Sequence, residues 1–236
     1  MIASLKKGDR DCRQVVIRYL RRSKPQFTIL IGSLARRKTR PTSDVDIVRI
    51  GHRRPLSGAF RGLRQKGELS YIDYTAEKFA ELFQGGSLFL YHVFNEGSLL
   101  QGDLKVWNEL KRCFKVSTDF HSEISQNRRV LTWLQRGNKA RGATIPYLAH
   151  TFRALKNLAI FSLAQNRDYI FDKRRALQRA FPSLDRRSID VLIGANDLFE
   201  AKKRKIGHYD LDENAVARVK RDIATTIQSS RVHAHR

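Results

Sequence analysis

Two hydrophobic patterns divide this chain. Up to Leu100 the apolar residues come in short runs, and beyond Asp119 they recur at helical spacing. Phe27-Thr28-Ile29-Leu30-Ile31 is β-branched, aromatic and aliphatic, too short for a useful helix, and ends at Gly32, which predicts a buried strand. Asp44-Val45-Asp46-Ile47-Val48-Arg49-Ile50 follows a Pro41-Thr42-Ser43 break and predicts a second strand. Glu68-Leu69-Ser70-Tyr71-Ile72-Asp73-Tyr74 alternates well enough to predict a third.

The later half reads as helices over Phe120–Leu134, Pro146–Leu163, Lys173–Phe181, Arg186–Ala201 and Glu213–Ser229. Gly137 and Gly142 separate the first two, and Thr144 stands where it can cap a helix with Pro146 in its first turn. Leu148, Phe152, Leu155 and Ala159 make an apolar stripe, with Arg153 and Lys156 on a neighbouring face. The expected fold class is α+β: a mixed sheet with flanking helices over residues 1–115, then a helical bundle domain over 116–236. A chain of 236 residues can bury a core in each.

Candidate chemistry lies between the first two strands. Gly32 lets the backbone approach a ligand closely, and Ser33 is a natural N-cap for Leu34-Ala35-Arg36-Arg37-Lys38, so the following amides would face an anion such as a triphosphate. Residues two apart on a strand share a face, so Asp44 and Asp46 point together, a hard-oxygen pair suited to Mg²⁺. Asp73 is the candidate third carboxylate, which a two-metal site requires. The bland alternative makes Asp44 a turn residue and Asp46 a solvated strand carboxylate. Glycine turn, spacing and later acidic strand together speak against it.

The segments Ile31-Gly32-Ser33-Leu34-Ala35-Arg36 and Ser43-Asp44-Val45-Asp46-Ile47-Val48 resemble the signature of the DNA polymerase beta-type nucleotidyltransferase superfamily, in its minimal bacterial branch. The resemblance extends to Leu100, where His92 to Leu100 looks like the helix and short strand that end this catalytic fold. It implies that Gly32, Ser33 and Arg36 hold nucleotide phosphates. It also implies that Asp44, Asp46 and Asp73 bind two Mg²⁺, or Mn²⁺ in their place, with Asp73 helping to deprotonate the acceptor. Arg37 departs from the family, where many members carry glycine. Superfamily members of this kind commonly close the cleft with a helical domain that lends a basic residue to the triphosphate, a role open to Arg153 or Lys156. A solvated basic face explains those two equally well.

Charge then bears on the acceptor. The chain has 46 Lys and Arg against 23 Asp and Glu, a formal charge of +23, which points to a polyanionic partner. Arg49, Arg53, Arg54, Arg61, Arg64 and Lys66 follow one another without an intervening acid between the second and third strands, which places a basic loop near the site. Arg53, Arg54, Arg61 and Arg64 are the candidate nucleic-acid contacts. Further basic clusters, Arg128-Arg129 among them, read singly as solvated faces.

Cys12 and Cys113 have no metal-type spacing, so free or buried thiols in a reducing, cytoplasmic compartment are expected. No apolar stretch is long enough to span a bilayer, and the N-terminus lacks a signal-peptide core, so no membrane insertion is expected. Arg204 and His208 stand too close for the ribonuclease pattern of helical domains found beside some minimal nucleotidyltransferases, and no nuclease site is assigned.

The leading expectation is an enzyme that moves NMP or dNMP from a nucleoside triphosphate to a hydroxyl. The acceptor expected is single-stranded DNA or RNA, or a tRNA end, extended without a template. A strongly cationic cleft disfavours cationic aminoglycosides. By analogy the setting is anti-phage defence or a toxin–antitoxin module, with a partner protein of the same module. The alternatives are a tRNA- or protein-modifying (AMPylating) enzyme and a non-catalytic nucleic-acid-binding module on the same scaffold.

Overall fold

The structure, a computed structural model, describes residues 12–36, 45–52, 69–136, 144–203 and 213–232. They are α+β, with one four-stranded mixed sheet and many helices. The chain divides into two compact units, Met1–Ser117 and Thr118–Arg236.

In the first unit, α1 (Cys12–Ser23) leads to β1 (Phe27–Ile31), the short α2 (Gly32–Ala35), β2 (Val45–Ile50) and β3 (Leu69–Tyr74). Then come α3 (Ala76–Gly85), α4 (Leu88–Glu96), β4 (Ser98–Gln101) and α5 (Leu104–Cys113). The sheet order is β3-β2-β1-β4; β1 is antiparallel to both β2 and β4, and β2 is parallel to β3. Phe27, Ile29, Val48 and Ile50 share one face of the sheet and are buried. They join Val16, Ile17 and Leu20 of α1, Phe79 and Phe83 of α3, Val93 and Phe94 of α4, and Trp107 and Leu110 of α5 in one core. Aromatic packing closes it: Trp107 lies 5.3 Å from Phe27 and 4.8 Å from Phe94 between ring centroids.

The helices flanking the sheet begin and end where their side chains dictate. Thr75 caps α3 by accepting from Lys78 N, and Gly86 ends it in the left-handed region at φ 67°. Asp103 caps α5 by accepting from Lys105 N and Val106 N. Cys113, buried at the end of α5, is disulfide-bonded, which corrects the expectation of a free thiol. Spacing along a sequence says nothing of which sulfurs meet in space.

The second unit contains α6 (His121–Arg136), α7 (Thr144–Gln165), α8 (Lys173–Ala180), α9 (Arg186–Lys203) and α10 (Glu213–Val232). Helix α7 packs against α6, α8 and α9. Its stripe Leu148, Phe152, Leu155 and Ala159 is buried, together with Ala149, Leu158, Leu163 and Ala164. A helix enclosed on more than one side needs apolar residues well beyond one stripe. Asp172 starts α8 by accepting from Arg175 N.

Candidate active site

The junction of β1 with α2 sets the geometry. The chain turns at Gly32, with φ +77°, in a region where L side chains are strained. Register places Ile31 opposite Asp46, so that the carboxylate stands beside the turn. A Cβ on Gly32 would lie 2.4 Å from Asp46 Oδ2, closer than any side chain tolerates. The backbone conformation thus favours glycine here, and any side chain would also push the Asp46 carboxylate aside. Ile31 is the N-cap of α2 and offers no side-chain cap, so Ser33 lies inside the first turn rather than capping a later helix. Asp44 and Arg37 lie outside the described residues.

Arg36 closes this short helix, and its Nη1 donates to Glu96 Oε2 of α4 at 2.8 Å. His92, one turn earlier on α4, has Nδ1 3.5 Å from the same Oε2. Burial lowers the His92 pKa below its usual value, against the raising effect of Glu96, while Arg36 lowers it further. Arg36 is thus held by the protein's own carboxylate. A polyphosphate would compete with Glu96 for that guanidinium.

Asp73 is not brought to this place. It pairs in register with Arg49, three positions along β2 from Asp46, on the sheet face that Asp46 does not share. Three residues of strand span roughly 10 Å. Arg49 Nε lies 3.4 Å from Asp73 Oδ1, with Arg49 only 5% exposed and Asp73 44% exposed. Arg49 is accordingly a strand residue tied to Asp73, not part of a solvated basic loop. Beside it His52 Nε2 lies 3.1 Å from both Thr28 Oγ1 and the Phe27 carbonyl. Burial, then the Arg49 charge, lowers the His52 pKa.

The helical-unit candidates also have local work. Arg153 Nε donates to Asn196 Oδ1 at 3.1 Å, its Nη2 pairs with Glu200, and its guanidinium lies 5.3 Å from the Phe199 ring centroid. These contacts fasten α7 to α9. Lys156, partly buried, has its pKa lowered by burial first and then by Lys173 and Arg153. Arg53, Arg54, Arg61 and Arg64 lie outside the described residues, as do Arg204 and His208.

Among the described residues no group of three or more His, Cys, Asp or Glu is placed to hold a metal, and no helix is long and apolar enough to cross a membrane. Glu96 and His92 were not singled out as site residues from sequence, although their i,i+4 spacing on one helix was a usable signal. No protein-family model matches the chain, and no curated protein matches it.

Proposed function

We propose that this chain is a metal-dependent nucleotidyltransferase that transfers a nucleoside monophosphate to the hydroxyl end of a nucleic-acid strand. The observation that carries the reading is the contact between the Gly32 turn and Asp46. A glycine in the left-handed region, set against a carboxylate, is an arrangement that can bring backbone amides and a metal ligand to one polyphosphate. Asp46 with Asp44 would hold the cation; the donor set at the turn fits a hard ion, with Asp46 its one described carboxylate. Bound Mg²⁺ would neutralise charge developing on the triphosphate.

In the transfer the acceptor oxygen bonds to the α-phosphorus, the bond from that phosphorus to the pyrophosphate oxygen breaks, and the hydroxyl proton passes to water while pyrophosphate departs with the bonding pair. Gly32 and Ser33 would orient the phosphates, and Arg36 would exchange Glu96 for a phosphate oxygen. Because Asp73 faces Arg49, the reading rests on two carboxylates. The +23 charge favours a nucleic-acid acceptor over a cationic small molecule.

The Arg49–Asp73 pair favours one competing reading, a non-catalytic nucleic-acid-binding module on the same scaffold. Incubation with each labelled NTP and dNTP plus Mg²⁺, with and without bulk tRNA, separates the two. Label incorporated by the native chain and absent with Asp46→Asn supports the transferase. Label on a protein or on the chain itself marks a protein-modifying enzyme, and no transfer to any acceptor leaves the binding module.

A further inference from the structure

Helix α6 carries an aromatic side chain that the core does not explain. Trp133 is 71% exposed, whereas Trp107, the only other tryptophan, is 4% exposed within the first unit's core. Leaving an indole in water forgoes a large burial gain, so an exposed tryptophan among charges is an unusual surface residue. Ile124, Leu131 and Leu134 of α6 are buried, so Trp133 belongs to the face turned away from them.

That face is cationic. Arg129 stands one turn before Trp133 and Arg136 one turn after it, both exposed, and Arg128 adjoins them. Arg128 Nε is buried without a hydrogen-bond partner. Together with His121 and Ser125, these residues line a concavity of about 600 Å³. None of the three arginines forms an ion pair with a described residue. The helix has one acid, Glu123, three turns from Trp133.

We infer that this face of α6 binds single-stranded nucleic acid, stacking one base on Trp133 between phosphates held by Arg129 and Arg136. Those two arginines stand seven positions apart on the helix, about 10 Å along the axis, with the indole between them. A strand laid along the helix meets charge, ring and charge in turn. Stacking on an aromatic ring together with arginine contacts to the backbone is the sequence-tolerant way proteins hold single strands. Bases in a duplex are already stacked, so the indole selects the unpaired strand. The inference rests on the nucleic-acid acceptor proposed above, for which it supplies a binding surface on the second unit.

The test measures fluorescence anisotropy of labelled oligo-dT and oligo-U with the full chain in EDTA and without nucleotide, so that absence of transfer chemistry cannot produce a negative result. Trp133→Ala is expected to weaken binding roughly 5- to 150-fold, and Trp133→Phe to retain most of it. Arg129→Gln with Arg136→Gln is expected to flatten the slope of log affinity against log salt by about 1.4. Because Trp133 is exposed, unchanged circular dichroism should accompany each loss. Equal affinity of Trp133→Ala and the native chain would overturn the inference. So would equal Trp133 dependence for a duplex of the same length, or for polyglutamate, which would make the partner an acidic protein. Asp46→Asn should bind the oligonucleotides normally. If it does so while the native chain transfers nothing, the α6 surface stands and the transferase reading falls.

Discussion

Gly32 and Asp46 constrain one another, and each gives a measurable consequence. Gly32→Ala must place a methyl where Asp46 Oδ2 sits and hold a side chain at φ +77°. The backbone strain alone costs roughly 1–3 kcal/mol, so a lowered unfolding midpoint and lost transfer are expected together. Asp46→Asn keeps the shape and should abolish transfer with little change in the midpoint. Asp73→Ala should do the reverse. It strips the nearly buried Arg49 of its carboxylate, costing about 1–3 kcal/mol, yet should leave measurable transfer. Complete loss of transfer in Asp73→Ala at an unchanged midpoint would return Asp73 to the metal site. The strand that carries Asp46 was legible from its pattern, with Asp44 outside the described residues, but the sequence did not reveal the register that sets Asp73 against Arg49. One position of slip exchanges the two faces. Histidine titration adds a pH signature. His92 has a folded pKa below its unfolded value near 6.5, so the unfolded chain binds the proton more readily. Its stabilising effect is complete above that unfolded value and is lost as pH falls toward the folded pKa. His92→Gln should flatten the dependence of the denaturation midpoint over that range.

At the scale of elements, local pattern and tertiary context contributed unequally. Strands β1, β2 and β3 and helices α6 to α10 were legible because each carries its own period and boundary signals. Helices α1, α3 and α5 were less legible; the last two have clear caps at Thr75 and Asp103, but their ten residues give a helical period fewer than three turns in which to repeat. The family resemblance left a triphosphate role open to Arg153 or Lys156, and helical spacing could not show that Arg153 meets Asn196, Phe199 and Glu200 of α9. Arg153→Gln should therefore lower the thermal midpoint of the second unit while leaving the KM for nucleotide within about twofold. A tenfold rise in KM without a stability change would restore the phosphate role. The disulfide at Cys113 gives a second element-scale test, since cross-linking commonly contributes about 2–4 kcal/mol. Denaturant unfolding with and without dithiothreitol should differ by that order.

Across the whole molecule, a charge of +23 is the property most readily converted into a number. Counterion release makes log affinity for a single strand fall by roughly 0.7 per phosphate contacted for each unit of log salt. If Arg53, Arg54, Arg61 and Arg64 each engage one phosphate, changing all four to Gln should flatten the slope by about 3. The same change should weaken the acceptor at moderate salt, with nucleotide binding at Gly32 and Ser33 affected less. Loss of the Trp133 stacking contact should lower affinity at every salt concentration with little change of slope, because stacking releases no counterions. The two sets of variants therefore separate along different axes of one titration. A slope unchanged in the fourfold variant would remove those arginines from the acceptor path and leave the basic residues of α6 as the stronger candidates. An affinity flat with salt in the native chain would leave the net charge unconnected to a phosphate backbone, and would shift the acceptor toward a protein side chain or a small molecule.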